Sequence, residues 1–261
     1  MVKLKPGMPW PNMCQYPLRK EAEAGIAPVI ESLKEQGIIV ETSSPCNTPI
    51  LPVQKPQKDK WRFVQDLREV NEVIQGVHPV VPSAEGLITS IPVSSTHFTV
   101  IDLCSAFFSV PIDKESQFLF AFTYKGRQYT WTVLPQGFAD SPTLFSRALH
   151  KDLEDIVFEG KSVLLQYLDD LLICSPNKAA CETDTLQLLQ ALARKGHKVN
   201  RDKLQLVQER VKYLGHHISH GKRELDKGRI TSIAEVPRPR TKKERSELSG
   251  RVEAVEVLAA A

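Results

Sequence analysis

The chain has 261 residues, 41% hydrophobic and 25% charged, a balance ordinary for a soluble globular protein and long enough for a real core. No apolar run approaches the roughly 18 residues of a membrane span, and Met1 to Pro11 has no apolar h-region, so neither a membrane nor a secretory route is expected, and the location read is intracellular and cytoplasmic. The five cysteines (14, 46, 104, 174, 181) are odd in number and form no C-x-x-C pair, which fits a reducing compartment and argues against a disulfide framework or a zinc knuckle.

The net charge of +3 hides an asymmetry. Residues 1–193 carry 17 Lys+Arg and 22 Asp+Glu, whereas residues 194–245 carry 16 and 6. A concentrated basic segment is compatible with a polyanion partner and equally with a solvated surface.

Residues 1–18 are punctuated by proline and read as an extended arm. Arg19 to Gln36 places Ala, Ile, Val and Leu on one helical face, with Gly37 as its stop and Pro28 implying a kink or a late start. Ile38–Val40 is a short strand, and Ser43-Ser44-Pro45 a loop. Ile50–Gln54 and Trp61–Gln65 form two strands around a polar tip, Lys55 to Lys60, suited to sweeping over an anion. Asp66 to Val73 reads as a short helix capped by Asp66, and Ser83 caps another that ends near Ser90.

His97–Ile101 is a strong β-run with Asp102 at its end, and Phe107-Phe108 follow in a turn. Gln117–Phe122 and Arg127–Thr132 are expected to pair around Lys125-Gly126. Leu134 to Phe138 is a loop. Ser141 reads as an N-cap followed by Pro142 at N1, and the helix is expected to run to about Phe158. Val163–Ser175 is a hairpin. Lys178–Lys195 is an amphipathic helix ended by Gly196. Short strands follow over Val199–Leu225, and Asp226–Ala234 is a last helix. Helices mixed with antiparallel hairpins indicate an α+β fold rather than a doubly wound parallel sheet.

The hairpin Leu164 to Ile173 is built from two apolar runs flanking Tyr167-Leu168-Asp169-Asp170. Adjacent carboxylates between buried strands repel, and one would normally take up a proton unless a divalent cation removes the conflict. Hard oxygen ligands on a rigid hairpin suit Mg²⁺, completed by waters and substrate phosphates. Aspartate is also a common turn residue, so the pair alone is compatible with an ordinary turn. If the strand ending in Asp102 neighbours this hairpin, three carboxylates meet at one edge, as a two-metal phosphoryl-transfer site needs.

The motifs Val100-Ile101-Asp102 with Ala106-Phe107-Phe108, Leu134-Pro135-Gln136-Gly137-Phe138 with Ser141-Pro142, Tyr167-Leu168-Asp169-Asp170 and Tyr213-Leu214-Gly215 occur in the order seen in retroviral reverse transcriptases. Val64-Gln65-Asp66-Leu67-Arg68 and Gln15-Tyr16-Pro17-Leu18 add to this. The chain resembles that family, with its gammaretrovirus-like and endogenous members nearest in look, over about residues 2–243. The resemblance implies an α+β right-hand polymerase fold with fingers and palm subdomains and an antiparallel palm sheet packed by helices. It implies RNA-directed DNA polymerisation, with two Mg²⁺ ions, for which Mn²⁺ can substitute. Template-primer RNA or DNA and dNTPs are the implied partners, and the viral core is the implied location in an intact virus.

By that resemblance Asp102, Asp169 and Asp170 are the catalytic metal ligands. Lys55 and Arg62 grip the triphosphate, with Ser105, Ala106, Phe107 and Gln136 completing the dNTP site. Phe107 lies under the sugar and excludes a 2′-hydroxyl, and Gln136 lies near the nascent base pair. Arg68, Tyr167, Leu168, Tyr213, Leu214, Gly215 and His216 face primer or template, the last four as a primer grip. Read without the family, Lys55 is a surface lysine, Phe107 a core aromatic and Gln136 a loop-capping amide. The implied layout is an arm (1–18), mainly fingers (19–96), and palm (97–225) with further fingers elements at about 113–140 and the primer grip at about 211–218. A thumb connection begins at 226–243, and 244–261 is a divergent tail.

Three departures stand out. Ser105 stands where the family usually has aspartate, and Leu168 replaces the more frequent Val or Met. After Thr241-Lys242-Lys243 the pattern fails, and Glu244–Ala261 is rich in Ala and Glu. The chain is therefore expected to be a fingers-plus-palm piece of a larger polyprotein, with thumb, connection and RNase H portions elsewhere. A second expectation stands beside polymerisation: a catalytically weak or inactive endogenous remnant that only binds nucleic acid. His216-His217-x-x-His220 is not read as a zinc site, because adjacent side chains of a strand point to opposite faces.

Overall fold

The computed structural model describes residues 2–54, 61–78 and 82–226. Its elements in chain order are α1 (Lys20–Glu35), β1 (Ile39–Glu41), β2 (Ile50–Gln54), β3 (Trp61–Gln65), α2 (Arg68–Val73), α3 (Ala84–Ser90) and β4 (His97–Asp102). Two 3₁₀ helices (Ala106–Ser109, Lys114–Phe120) lead to β5 (Phe122–Tyr124), β6 (Arg127–Trp131) and α4 (Ser141–Leu153). Then come β7 (Val163–Tyr167), β8 (Asp170–Ser175), α5 (Lys178–Arg194), β9 (Gln205–Gln208), β10 (Arg210–Tyr213), β11 (His216–Ser219) and β12 (Lys222–Leu225). All pairings between these strands are antiparallel, so the fold is α+β as expected. Among the described residues no helix is long and apolar enough to cross a membrane.

The chain divides into two compact units: Met1–Val80 with Ser105–Ala148, and Val81–Cys104 with Leu149–Ala261. In the first, β1-β6-β5 form one sheet and β2-β3 a hairpin. α1 runs unbroken through Pro28 and buries Ile26, Ile30 and Leu33. Gly25 is required for its close seat, since a Cβ there would lie 2.1 Å from the Trp61 ring. Beneath β3, the Gln65 amide donates to Thr48 Oγ1 at 2.7 Å and accepts from Trp131 Nε1 at 2.6 Å. That buried amide ties the hairpin to β6, and its hydrogen bonds offset the cost of burying it.

Four local expectations fail here. Residues 117–120 are not strand: Asp113 accepts from the Glu115 amide and starts a 3₁₀ helix that buries Ser116, Leu119 and Phe120, the three-residue spacing of that helix. Asp66 is not the cap of α2, which starts at Arg68 after Leu67; instead it accepts from the Arg68 amide and side chain. α4 stops at Leu153 rather than Phe158. Glu154 and Asp155 put negative charge at the negative end of the helix dipole. Ser141 Oγ donates to the Pro135 carbonyl rather than serving as a cap.

In the second unit the sheet runs β7-β8-β4-β9, covered by α5, with β10-β11-β12 as a separate meander. Asn177 caps α5 through the Ala180 amide, and Gly196 ends it at φ +80°. Asp184 on α5 is fully buried and accepts from the Gly160 and Ser162 amides, which fixes the approach to β7. Phe98, Val100, Leu165, Leu172, Val211 and Ile218 share one apolar cluster with Tyr167, Leu168 and Tyr213. The expected tip at Lys55–Lys60, the helix beyond Asp226, the thumb connection and the tail lie outside the described residues.

Candidate active site

β4 is buried from Phe98 to Ile101 and ends in Asp102. Its neighbour β8 begins with Asp170, and the antiparallel register sets Asp102 opposite Asp170. Asp169 precedes it in the two-residue turn Leu168-Asp169, which Tyr167 and Asp170 close. Two strand ends and one turn thus bring three carboxylates to a single sheet edge. Backbone hydrogen bonds pin the surrounding chain: Leu103 N donates to the Asp169 carbonyl at 3.0 Å, Cys104 N to Lys198 at 2.7 Å, and Asn200 N to the Asp102 carbonyl at 2.9 Å.

The turn itself is strained. Leu168 has φ +51°, while Asp169 is not among the positive-φ residues. A positive φ at the first central position alone marks a type II′ turn, a position that usually falls to glycine. Leucine there costs on the order of 1–2 kcal/mol of backbone strain. The Leu168 side chain is buried in the apolar cluster, which offsets that cost and fixes the turn.

Burial and like charge act together on the acids. Asp170 is pushed up to about 6, first by burial and then by Asp169 and Asp102, with Lys203 opposing. Asp169 is raised by burial and by Asp102, against its own backbone amide and Lys203. Lys203 Nζ lies 2.9 Å from Asp102 Oδ2, and this hydrogen bond is the main cause holding its ammonium above the ordinary lysine value. Tyr167 and Tyr213 form an apolar floor close enough to Asp170 that burial and then its charge raise both phenols. The Tyr213 hydroxyl is buried with no hydrogen-bond partner.

The donor set fits a hard divalent cation. Its oxygens are carboxylates, their negative charge is offset nearby by the Lys203 ammonium, and two of the three acids are held toward their neutral form by burial and then by neighbouring carboxylates. Among the described residues no group of three His, Cys, Asp or Glu side chains is arranged to hold a metal ion on its own. The edge is an open one, of the kind Mg²⁺ occupies with waters and phosphates completing its shell.

The remaining expected site residues fall in two sets. Arg62, Arg68, Ser105, Ala106, Phe107 and Gln136 belong to the first unit, and Tyr167, Leu168, Tyr213, Leu214, Gly215 and His216 join the aspartates in the second. Arg62 is exposed on β3, opposite Val53. Lys55 lies outside the described residues. Arg68 is exposed but held by Asp66 through Nε and Nη2 at 2.9 and 2.6 Å, which keeps the Asp66 carboxyl below its usual range. Ser105 has φ +49° and opens the 3₁₀ helix that carries Ala106 and Phe107. The Phe107 ring stands edge-on to Phe145 at 5.9 Å. Gln136 is exposed on its loop.

β10 and β11 are joined by Leu214-Gly215, between the paired Tyr213 and His216. Both turn residues have positive φ, +45° and +73°, which makes a type I′ turn. The three histidines go separate ways, as the strand geometry requires. His216 Nδ1 lies 3.0 Å from the Leu214 carbonyl, His217 Nε2 lies 3.4 Å from Asp226, and His220 Nδ1 lies 3.0 Å from the Ser95 carbonyl.

Two residues without a motif signal hold expected site residues in place, one within each unit. Asn71 donates to the Gly137 carbonyl and accepts from the Ala139 amide, both at 2.9 Å, so it sets the loop of Gln136. Lys203 carries no motif signal at all; only the register that places 198–203 against the end of β4 reveals it.

Residues 53–218 match the family model described as reverse transcriptase (RNA-dependent DNA polymerase). The chain is 45% identical over 240 residues to the Gag-Pol polyprotein of Walleye dermal sarcoma virus, a match covering 92% of this chain and 14% of that one. It is 44% identical over 257 residues to the Pol polyprotein of Feline endogenous virus ECE1, covering 96% and 25%. This chain thus spans a quarter or less of the length of these relatives. Among solved structures, the foamy viral protease-reverse transcriptase in complex with RNA/DNA hybrid superposes with a TM-score of 0.80 at 31% identity, covering 97% of this chain and 33% of that one. A foamy viral form in complex with double-stranded DNA gives 0.80 at 29%, covering 97% and 45%.

Proposed function

Because this chain belongs to the reverse transcriptase (RNA-dependent DNA polymerase) family, we propose that it carries a nucleotidyl-transfer centre that adds deoxynucleotides from dNTPs to the 3′-hydroxyl of a primer on an RNA or DNA template. The observation that supports this most strongly is the sheet edge where Asp102, Asp169 and Asp170 meet with Lys203 as their nearby counter-charge. We assign to these three aspartates two divalent ions, Mg²⁺ with Mn²⁺ as a substitute. When bound, such ions supply positive charge at the attacking and leaving oxygens of an in-line transfer.

The chain's own residues do the rest. The aspartates act ionised, so Asp170, at about 6, takes its part fully above that pH or once positive charge arrives beside it. The floor of Tyr167, Leu168 and Tyr213 keeps water from beneath the edge, where each charge interaction is then stronger than in bulk solvent. The strained turn holds Asp169 in one place, so no reorganisation is needed at the moment of reaction. The hairpin of Tyr213, Leu214, Gly215 and His216 is the part we assign to the primer end.

We assign the first unit to the fingers and the second to the palm. In the first, Lys55 and Arg62 are the triphosphate ligands, Ser105 and Ala106 offer backbone amides, Phe107 bars a 2′-hydroxyl and Gln136 meets the nascent pair. Arg68 reaches a template only by leaving Asp66. Template-primer as partner is supported by the relatives solved with double-stranded DNA and RNA/DNA hybrid. Thumb, connection and RNase H segments are further partners, consistent with relatives much longer than this chain.

Primer extension on an RNA template with Mg²⁺ or Mn²⁺ tests this reading. The chain lengthens a DNA primer, and Asp169→Asn abolishes the product. A chain that binds the hybrid but extends nothing is a binding-only remnant. Extension untouched by the substitution moves the chemistry elsewhere.

A further inference from the structure

Lys203 sits in the turn between α5 and β9, and its side chain is 65% exposed although its ammonium reaches Asp102 Oδ2 at 2.9 Å. The segment that delivers it is latched to the end of β4. Asn200 N donates to the Asp102 carbonyl, Leu103 bridges Val199, and the Asn200 side chain caps the turn through the Asp202 amide at 3.1 Å. A long flexible lysine is thereby based on a fixed turn, with its charge at the open side of the carboxylate edge.

We infer that Lys203 is the resident counter-cation of the edge: it holds Asp102 when no divalent ion is bound and must release that oxygen before one can bind. Lys203 therefore sets the divalent-metal affinity of the chain. This rests on the reading of the edge as a metal site. Lysine suits the task because its compact ammonium makes a single contact and swings back to solvent on a four-carbon stem. Arginine would grip both oxygens of the carboxylate with a planar fork. An ion pair whose ammonium end is largely exposed is weak, so its loss changes affinity by roughly two- to five-fold rather than by orders of magnitude.

The experiment is titration of the metal-free full chain with Mn²⁺, followed by the electron-paramagnetic signal of the free ion, with no nucleotide or nucleic acid present. Lys203→Met raises Mn²⁺ affinity about two- to five-fold, and Lys203→Arg binds no tighter than wild type. Lys212→Met removes the same charge from the pair with Asp226 in the same unit and stays near wild type. Thermal unfolding gives a second readout. Lys203→Met melts lower than wild type without metal, and Mn²⁺ raises its midpoint by more. Equal affinity of wild type and Lys203→Met, or an equal gain in Lys212→Met, overturns the inference and leaves the metal site standing. If neither chain binds Mn²⁺, the metal reading and the inference fall together.

Discussion

The second unit contains two hairpins that begin with the same two residues and end in opposite chemistry. Tyr167-Leu168-Asp169-Asp170 and Tyr213-Leu214-Gly215-His216 both close with a tyrosine paired across a two-residue turn, and both put leucine at positive φ, +51° and +45°. In both, the tyrosine is buried in one shared apolar cluster. The second turn places glycine next, at φ +73°, and relaxes into type I′. The first places aspartate there instead, keeps the strain, and sets two carboxylates beside a third on the neighbouring strand. One turn is shaped to present backbone, the other to hold charge. The residue after leucine decides between a turn eased by glycine and one that keeps its strain and carries charge.

The sharpest way to break this division is to remove charge from the first turn without altering its shape. Asp169→Asn is expected to lower RNA-templated extension by on the order of 10³-fold or more, a loss of transition-state charge stabilisation beyond that of a single hydrogen-bond donor. Circular dichroism should remain that of wild type. If the variant extends primers at an undiminished rate, the charged hairpin is only a turn.

Binding should depend on the basic stretch that surrounds the other hairpin. Described residues 194–226 hold nine Lys+Arg against four Asp+Glu. With about four phosphate contacts, hybrid affinity is expected to fall about a hundred-fold between ~50 and ~200 mM salt, with little preference for sequence. Fluorescence anisotropy at several salt concentrations measures the slope. A flat response would place binding outside this stretch.

Next in size is the cost of keeping the first hairpin charged. Asp170 is held at about 6, above the roughly 3.9 of an unfolded aspartate. A raised acid makes the folded state the better proton binder, so its contribution to stability is lost as pH rises from about 4 through about 6 and stays lost above. In chelator, this amounts to on the order of 2–3 kcal/mol at pH 7. Asp170→Asn should remove that loss, so its denaturation midpoint should gain on wild type between pH 4 and 7. Parallel curves for the two chains would show that Asp170 is not perturbed.

The smallest effect belongs to the relaxed turn. Gly215→Ala, forced to positive φ, should cost about 1 kcal/mol in urea denaturation. No change would mean that the second turn does not require glycine's freedom.

Much of this was legible in the sequence because hairpins and capped helices are written in local patterns. The two apolar runs of residues 164–173, Ser83 before α3 and Gly196 after α5 were all readable, and the structure has them. The meeting of Asp102 with Asp170 was readable only as a condition, since strand neighbours are not a local property. Boundaries failed where a side chain preferred another partner. Asp66 took Arg68 rather than capping α2, and Asp113 began a 3₁₀ helix inside an expected strand. Asn71 and Lys203 were invisible for the opposite reason: each acts on a segment more than 60 residues away in the chain.

We propose that chemistry resides on the edge formed by Asp102, Asp169 and Asp170, apart from binding. The most direct test is a single-turnover extension on preformed hybrid complexes, which separates the rate of nucleotide addition from the affinity for template-primer. The expected result is that Asp169→Asn binds the hybrid with a Kd within about two-fold of wild type and adds no measurable nucleotide. Addition at the wild-type rate, or a loss explained wholly by weakened hybrid binding, would contradict it.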